Sequence, residues 1–337
     1  MIEVRHLTKR YGNHEAVSDL SFTVESGQIY GFLGPNGAGK STTMNIITGC
    51  LAATEGEVLI DGHDIFTDAA EAKRCIGYLP EQPPLYLDMT PLEYLRFVAH
   101  AKGVPHSELD KQVAHAIAVT QISDVQNRLM KHLSKGYKQR VGIAQALLGN
   151  PKIIILDEPT VGLDPLQIIE IRALIRELGK EHTVILSSHI LSEIQAVCDA
   201  VLIISKGHLV ACDTTDNLEQ LFSSSGTLTL TVKATEPEIR QALAKVEGIH
   251  ELRCTPLEGG ETTKVELVAE SGQELAEPVF FAFADVRRPI LQMQSTHASL
   301  EDVFIELTNS AAEPDKPAAP DAADSPDSEP EKEAPEA

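Results

Sequence analysis

Positive charge is scarce in this chain. Its 337 residues carry 28 Lys and Arg against 50 Asp and Glu, a formal charge of −22 at pH 7. Bulk attraction to nucleic-acid phosphate or to anionic lipid needs an excess of Lys and Arg, so both partner classes are disfavoured. Cysteine is sparse too: Cys50, Cys75, Cys198, Cys212 and Cys254 are odd in number, widely spaced and form no CxxC pair. That excludes zinc-type spacing and suits a reducing compartment where thiols serve as small apolar side chains. No run approaches the ~18 consecutive apolar residues of a membrane span. The opening MIEVRHLTKRYG has no apolar stretch of signal-peptide type. The expectation is a cytoplasmic chain with no direct membrane insertion and no nucleic-acid partner, in which any membrane part comes from another chain.

Hydrophobic residues make up 42% of the sequence, enough to build a core. At ~100–200 residues per domain the length suggests two domains. Strand-like and helix-like segments alternate through residue 215. An apolar run at 28–33 precedes a glycine-rich turn and a helical stretch at 40–50. Residues 153–156 are four consecutive apolar positions, as in a strand buried on both faces, and 184–186 and 201–204 repeat the pattern beside helical segments at 166–178 and 190–198. Strand, helix, strand in series implies a parallel sheet with crossover helices. Between 91 and 129 the strand signal disappears and Leu92, Leu95, Val98 and Ala99 fall at helical spacing, which predicts an inserted helical subdomain at about 84–132.

Ser223-Ser224-Ser225-Gly226 reads as a linker. Beyond it come a strictly alternating strand at 227–233, a helix at 237–246, strands near 249–254 and 264–268, a helix at 273–284, a strand at 290–293 and a last helix at 300–307. The order β-α-β-β-α-β is that of a ferredoxin-like sandwich. Residues 311–337 hold nine acids, two lysines, six prolines and eight alanines. Such a stretch buries too little apolar surface to offset its ordering entropy. The expected division is 1–215, 226–309 and a disordered tail at 310–337.

Residues 34–42 read GPNGAGKST: Gly34, Pro35, Asn36, Gly37, Ala38, Gly39, Lys40, Ser41 and Thr42. They fit G-x-x-x-x-G-K-[ST] between an apolar strand and a helix. Glycines let the backbone turn through positive φ and approach phosphate without a Cβ. The loop N–H groups form an anion nest, and the helix aims its positive end at the same place. Lys40 suits the β- and γ-phosphates, and the Ser41 hydroxyl suits Mg²⁺. Residues 153–160 read IIILDEPT, a buried strand ending in Asp157 and Glu158. Successive strand residues point opposite ways. Asp157 is therefore assigned to the metal and Glu158 to the base that faces the attacking water.

These elements stand in a fixed order with others, and residues 1–213 resemble an ABC-type ATPase, the nucleotide-binding subunit of an ABC transporter. The resemblance implies that Tyr11, in KRYG, stacks on adenine. Gln82, in GYLPEQPPLY, senses Mg²⁺ and the γ-phosphate, and Gly162-Leu163-Asp164 form the loop after the acids. His189, in ILSSHILSE, is the switch histidine. The LSGGQ signature is matched by LSKGYKQR at 133–140, where Lys135 and Tyr137 depart from it while Ser134 and Gly136 remain. Taken singly, Gln82 reads as a surface loop residue, His189 as a helix-start residue and Tyr11 as packing; the joint order and spacing give them weight. The implied fold is a P-loop α/β domain with a mixed sheet core and a helical subdomain, joined to a smaller ferredoxin-like α+β domain. The implied activity is hydrolysis of ATP with Mg²⁺, coupled to ATP-driven head-to-tail pairing of two subunits, most simply a homodimer. It powers export through a separate membrane permease on whose inner face the subunit sits peripherally. LSKGYKQR, LYLDMTPLEYL and the terminal SLEDVFIELT resemble subunits paired with ABC-2-type permeases. A non-transport ABC ATPase and a regulatory nucleotide-binding module stand as alternatives. One cassette, no long coiled coil and no zinc ligands weigh against the first; the intact Lys40, Glu158 and His189 weigh against the second.

Overall fold

A strand that is apolar at every position needs cover on both faces of its sheet. The computed structural model, which describes residues 1–218, 227–257, 262–269, 273 and 275–296, supplies that cover in its central sheet. Strands β1 (Ile2–Tyr11), β2 (His14–Val24), β4 (Glu55–Ile60) and β5 (His63–Asp64) form an antiparallel sheet in the order β2-β1-β4-β5. Strands β3 (Ile29–Leu33), β6 (Ile76–Leu79), β7 (Ile153–Leu156), β8 (Thr183–Ser188), β9 (Ala200–Ser205) and β10 (His208–Thr214) form a second sheet, ordered β10-β9-β3-β8-β7-β6. There β10 runs antiparallel to β9 and every other pair is parallel. The core is thus mixed, with an N-terminal antiparallel layer beyond the parallel sheet.

Alternate side chains of the central strands serve different cores. Ile153, Ile155, Leu202 and Ile204 pack with β1, β2, β4 and the helix Lys40–Ile47. Ile154, Leu156, Val201 and Ile203 pack with the helices Pro91–Ala101, His106–Val119, Lys135–Leu147 and Pro165–Leu178. Their burial at every position therefore follows from a three-layer arrangement.

The stretch without strands is helical. Thr90 opens the helix Pro91–Ala101 with a capping box: its Oγ1 accepts from Glu93 N at 3.3 Å, and the Glu93 carboxylate accepts from Thr90 N at 2.9 Å. The buried stripe is Pro91, Tyr94, Leu95 and Ala99, with Leu92 and Val98 half-buried beside it. Tyr94 joins the stripe that spacing alone assigned to aliphatic residues. Lys102, the C-cap of this helix, reaches the far end of Lys135–Leu147. Its Nζ donates to the carbonyls of Gln145 at 2.9 Å, Ala146 at 3.3 Å and Leu148 at 2.9 Å. A cation on the last carbonyls of a helix complements its dipole.

The third sheet is ferredoxin-like. Strands β11 (Thr227–Val232), β12 (Ile249–Pro256), β13 (Thr263–Ala269) and β14 (Ile290–Thr296) are all antiparallel, ordered β12-β13-β11-β14. Leu228, Leu230 and Val232 alternate inward and meet Val265 and Leu267 across the ladder. The helices Glu236–Leu243 and Ala276–Asp285 cover that face with Ile239, Leu243, Val279 and Phe283. The serine-glycine linker, the helix expected at 300–307 and the tail at 310–337 lie outside the described residues.

Replacing Lys102 with Met keeps the aliphatic stem and removes the donor to three carbonyls. Urea unfolding is expected to show a loss of about 1 kcal/mol for Lys102→Met, with the slope against urea unchanged.

Candidate functional site

Parallel strands carry their carboxyl ends to one edge, where open α/β sheets bind their ligands. Leu33 of β3 pairs with Ser188 of β8, and Leu156 of β7 with Leu186 of β8. The segments that follow, 34–39, 157–160 and 189, therefore emerge side by side. A cleft of about 630 Å³ opens there, lined by Tyr11, His14, Ala16, Asn36, Gly37, Gly39, Lys40, Ser41, Thr42, Glu81, Glu158, Val161 and His189.

The loop from Gly34 to Gly39 is shaped by where a side chain cannot go. A Cβ on Gly34 would lie 2.4 Å from the Ile204 carbonyl oxygen of β9. Gly39, the N-cap of Lys40–Ile47, has φ 104°, and a Cβ there would lie 2.6 Å from the Ala16 carbonyl. Gly37 has φ 82° with open space around it. Gly207 N donates to Ala38 O at 2.9 Å, and Ala38 N to Pro35 O at 3.1 Å, which fixes the loop's spine. The side of the loop facing the cleft is left free for an anion.

Lys40 is buried at the centre. Its Nζ donates to Gly34 O at 2.8 Å and Pro35 O at 3.3 Å and lies 3.5 Å from Glu158 Oε1. Ser41 Oγ donates to Asp157 Oδ1 at 3.4 Å. Asp157 is 2% exposed, and Ser187 Oγ donates to the same oxygen at 2.5 Å. Glu158 has φ 48°, a left-handed backbone that costs a non-glycine residue about 1–3 kcal/mol. Its N–H donates to Ser187 Oγ at 2.9 Å, and its carboxylate Oε2 lies 3.0 Å from His189 Nδ1. Burial, and then the Asp157 charge, push the Tyr78 phenol up, and its Oη donates to Asn45 Oδ1 on the loop's helix at 3.2 Å.

The donor set at Ser41 and Asp157 fits Mg²⁺. It offers one hydroxyl and one carboxylate, both hard oxygens, as for a cation that keeps water and takes phosphate as its other ligands. Among the described residues no group of three or more His, Cys, Asp and Glu is arranged to hold a metal unaided.

Tyr11 stands at the cleft mouth, half exposed at the end of β1, with Lys9 Nζ 5.2 Å from its ring centre. Gln82 is exposed and does not line the cleft; its neighbour Glu81 does. His14, Ala16, Glu81 and Val161 are wall residues that motif reading passed over. Ser187 escaped it as well, although its place two residues before His189 on a buried strand was a signal.

Ser134 and Gly136 lie elsewhere. Ser134 is the N-cap of Lys135–Leu147, its Oγ accepting from Tyr137 N at 3.4 Å. A Cβ on Gly136 would lie 2.5 Å from Gln167 Oε1, so the Gln167 side chain packs directly over the glycine. Lys135 folds across Gly162, and Tyr137 Oη donates to Asp124 Oδ2 at 2.7 Å. Asp164 caps the next helix by accepting from Gln167 N at 3.0 Å. Ser134 and Gly136 line a second cavity of about 200 Å³ that shares no residue with the cleft. Near the segment after Gln82, Tyr86, Leu87 and Phe97 are exposed, and the Tyr86 and Phe97 rings meet edge to face at 5.6 Å. Among the described residues no helix is long and apolar enough to cross a membrane.

Comparison with known proteins gives a consistent result. A family model described as ABC transporter matches residues 17–161. The bacitracin transport ATP-binding protein of Bacillus licheniformis is 42% identical over 212 residues, covering 62% of this chain and 68% of the relative. The linearmycin resistance ATP-binding protein of Bacillus subtilis is 29% identical over 309 residues, covering 91% and 98%. A solved dimeric ATP-binding cassette, in a post-hydrolysis state bound to ADP and Pi, is 27% identical with a TM-score of 0.57, covering 64% of this chain and 98% of that one.

A methyl group on Gly39 meets both the φ of 104° and the Ala16 carbonyl. Gly39→Ala is expected to lower unfolding free energy by about 1–3 kcal/mol in urea, and a wild-type midpoint would refute the close approach.

Proposed function

The chain belongs to the ABC transporter ATP-binding family and is an ATPase, and from that premise we propose that two copies close head to tail on two ATP molecules. Each nucleotide lies between the phosphate loop of one copy and Ser134 and Gly136 of the other. The observation that carries this reading is the separation of the two cavities: one chain offers two half-sites with no lining residue in common. A two-fold pair completes both at once.

Within each site Tyr11 stacks on adenine, and the backbone N–H groups of residues 36–42 surround the phosphates. Lys40 leaves its carbonyl partners for the β- and γ-phosphates. Bound Mg²⁺, held by Ser41 and through water by Asp157, would neutralise charge on the phosphate oxygens. Gln82 joins that oxygen set when its loop turns inward. Glu158 orients the attacking water and takes its proton. His189 holds the Glu158 carboxylate and contacts the γ-phosphate. Loss of that phosphoryl group removes the contact across the seam, and the pair relaxes.

The exposed apolar patch of Tyr86, Leu87 and Phe97 receives the cytoplasmic face of a separate membrane permease of the ABC-2 type, with the ATPase peripheral on the inner face of the membrane. The names of the relatives, bacitracin transport and linearmycin resistance, support export of antibiotic-type compounds.

Light scattering with Mg-ATP tests the pairing. Glu158→Gln is expected to hold ATP and shift to twice the monomer mass, while Lys40→Ala loses ATP binding and stays monomeric. A Glu158→Gln protein that releases phosphate at the wild-type rate removes the base assignment. In pull-downs from native membranes, Tyr86→Ser with Phe97→Ser is expected to lose the multi-span partner yet still pair on ATP.

A further inference from the structure

Glu193 is a third buried carboxylate near the cleft, and no motif explains it. It lies on the short helix Leu191–Gln195 and is 4% exposed. Among the described residues no Lys, Arg or His forms an ion pair with it within 4 Å. Its Oε2 is satisfied by two hydroxyls. Thr160 Oγ1 donates to Glu193 Oε2 at 2.7 Å, and Ser188 Oγ donates to the same oxygen at 2.8 Å. Ser188 Oγ also accepts from Ile190 N at 3.0 Å. Thr160 and Ser188 are themselves buried.

The two hydroxyls belong to the two segments that must be aligned for hydrolysis. Thr160 stands two residues after Glu158, and Ser188 is the residue before His189. On the near side of Glu158, Ser187 binds both the Asp157 carboxylate and Glu158 N. Glu158 therefore sits between two side-chain ties, one through Ser187 and one through Glu193, while its backbone holds a φ of 48°. A left-handed non-glycine residue persists only where its surroundings over-determine it.

We infer that Glu193 is a positioning residue for hydrolysis: by binding Thr160 and Ser188 together it locks the backbone of Glu158 and aims the Glu158 carboxylate at His189. It touches no substrate and acts through Glu158. The inference rests on Glu158 being the base.

Steady-state ATPase assays on the full chain test it with four single variants, one double variant and a control. Glu193→Ala and Thr160→Val remove the tie from either side and are expected to lower kcat roughly 10- to 100-fold, as for a misplaced catalytic group. The KM for ATP and nucleotide affinity are expected to stay within about 2-fold of wild type, since Lys40 and the phosphate loop are untouched. Glu193→Gln and Thr160→Ser keep an acceptor and a donor, and are expected to restore most of the lost rate. The double variant Glu193→Ala/Thr160→Val is expected to be no slower than either single one, because both break one connection. The inference is overturned if kcat is unchanged, if the loss falls on KM, or if the double variant shows the product of the two effects. Should Glu193→Ala not fold, Thr160→Val against Thr160→Ser decides by the same criteria. Glu158→Gln is the control: if it turns over normally, the base assignment fails; if it is inactive while both tie variants are normal, the tie alone fails.

Discussion

A carboxylate taken out of water must be given donors or it surrenders its charge. Asp157, Glu158 and Glu193 are all less than a tenth exposed at one end of the central sheet, and among the described residues the only buried cation close to them is Lys40, 3.5 Å from Glu158. Hydroxyls supply the rest: Ser41 and Ser187 to Asp157, Thr160 and Ser188 to Glu193. Neutral donors satisfy oxygen without cancelling charge. That suits a metal cation arriving with its nucleotide, and it explains why serine recurs at the end of β8, where a hydrophobic residue would pack as well but leave the acids bare.

The same constraint decides how much could be read in advance. The phosphate loop is legible because its chemistry is local: Gly34, Gly37 and Gly39 are needed by backbone conformation or close approach within a few residues. The apolar run at β7 is legible because burial on both faces leaves no other composition. Ser187, Ser188, Thr160 and Glu193 are not, since a serine at a strand end and a glutamate on a short helix carry no spacing rule; their meaning appears only when β7 and β8 lie in register. Gln82 illustrates the reverse. Its place in the chain is legible, while the direction of its side chain depends on a loop that presents Glu81 to the cleft instead.

The N-terminal antiparallel sheet was hidden for a different reason. β1 pairs with β2 through three register shifts, and His6 and Asp19 take positive φ beside them. Each irregularity reverses the phase of alternation, so a period-two pattern dissolves although the strand is long. The ferredoxin-like sheet has the opposite character. β11 and β13 alternate without interruption over six and seven residues, and the strand order follows from the element order that alternation revealed. Regular ladders are readable and bulged ones are not, whatever their stability.

Lys102 gives the architecture a mechanical property. Its three bonds bolt the end of one helix to the end of another, and the second helix is a strut about 20 Å long at 1.5 Å per residue with Ser134 at its opposite tip. Phe97 lies just over one helical turn from the bolt. The two helices also share one apolar core, and Tyr94 Oη lies 3.3 Å from Gln145 Oε1, so the lysine locks the end of a joint that packing already holds along its length.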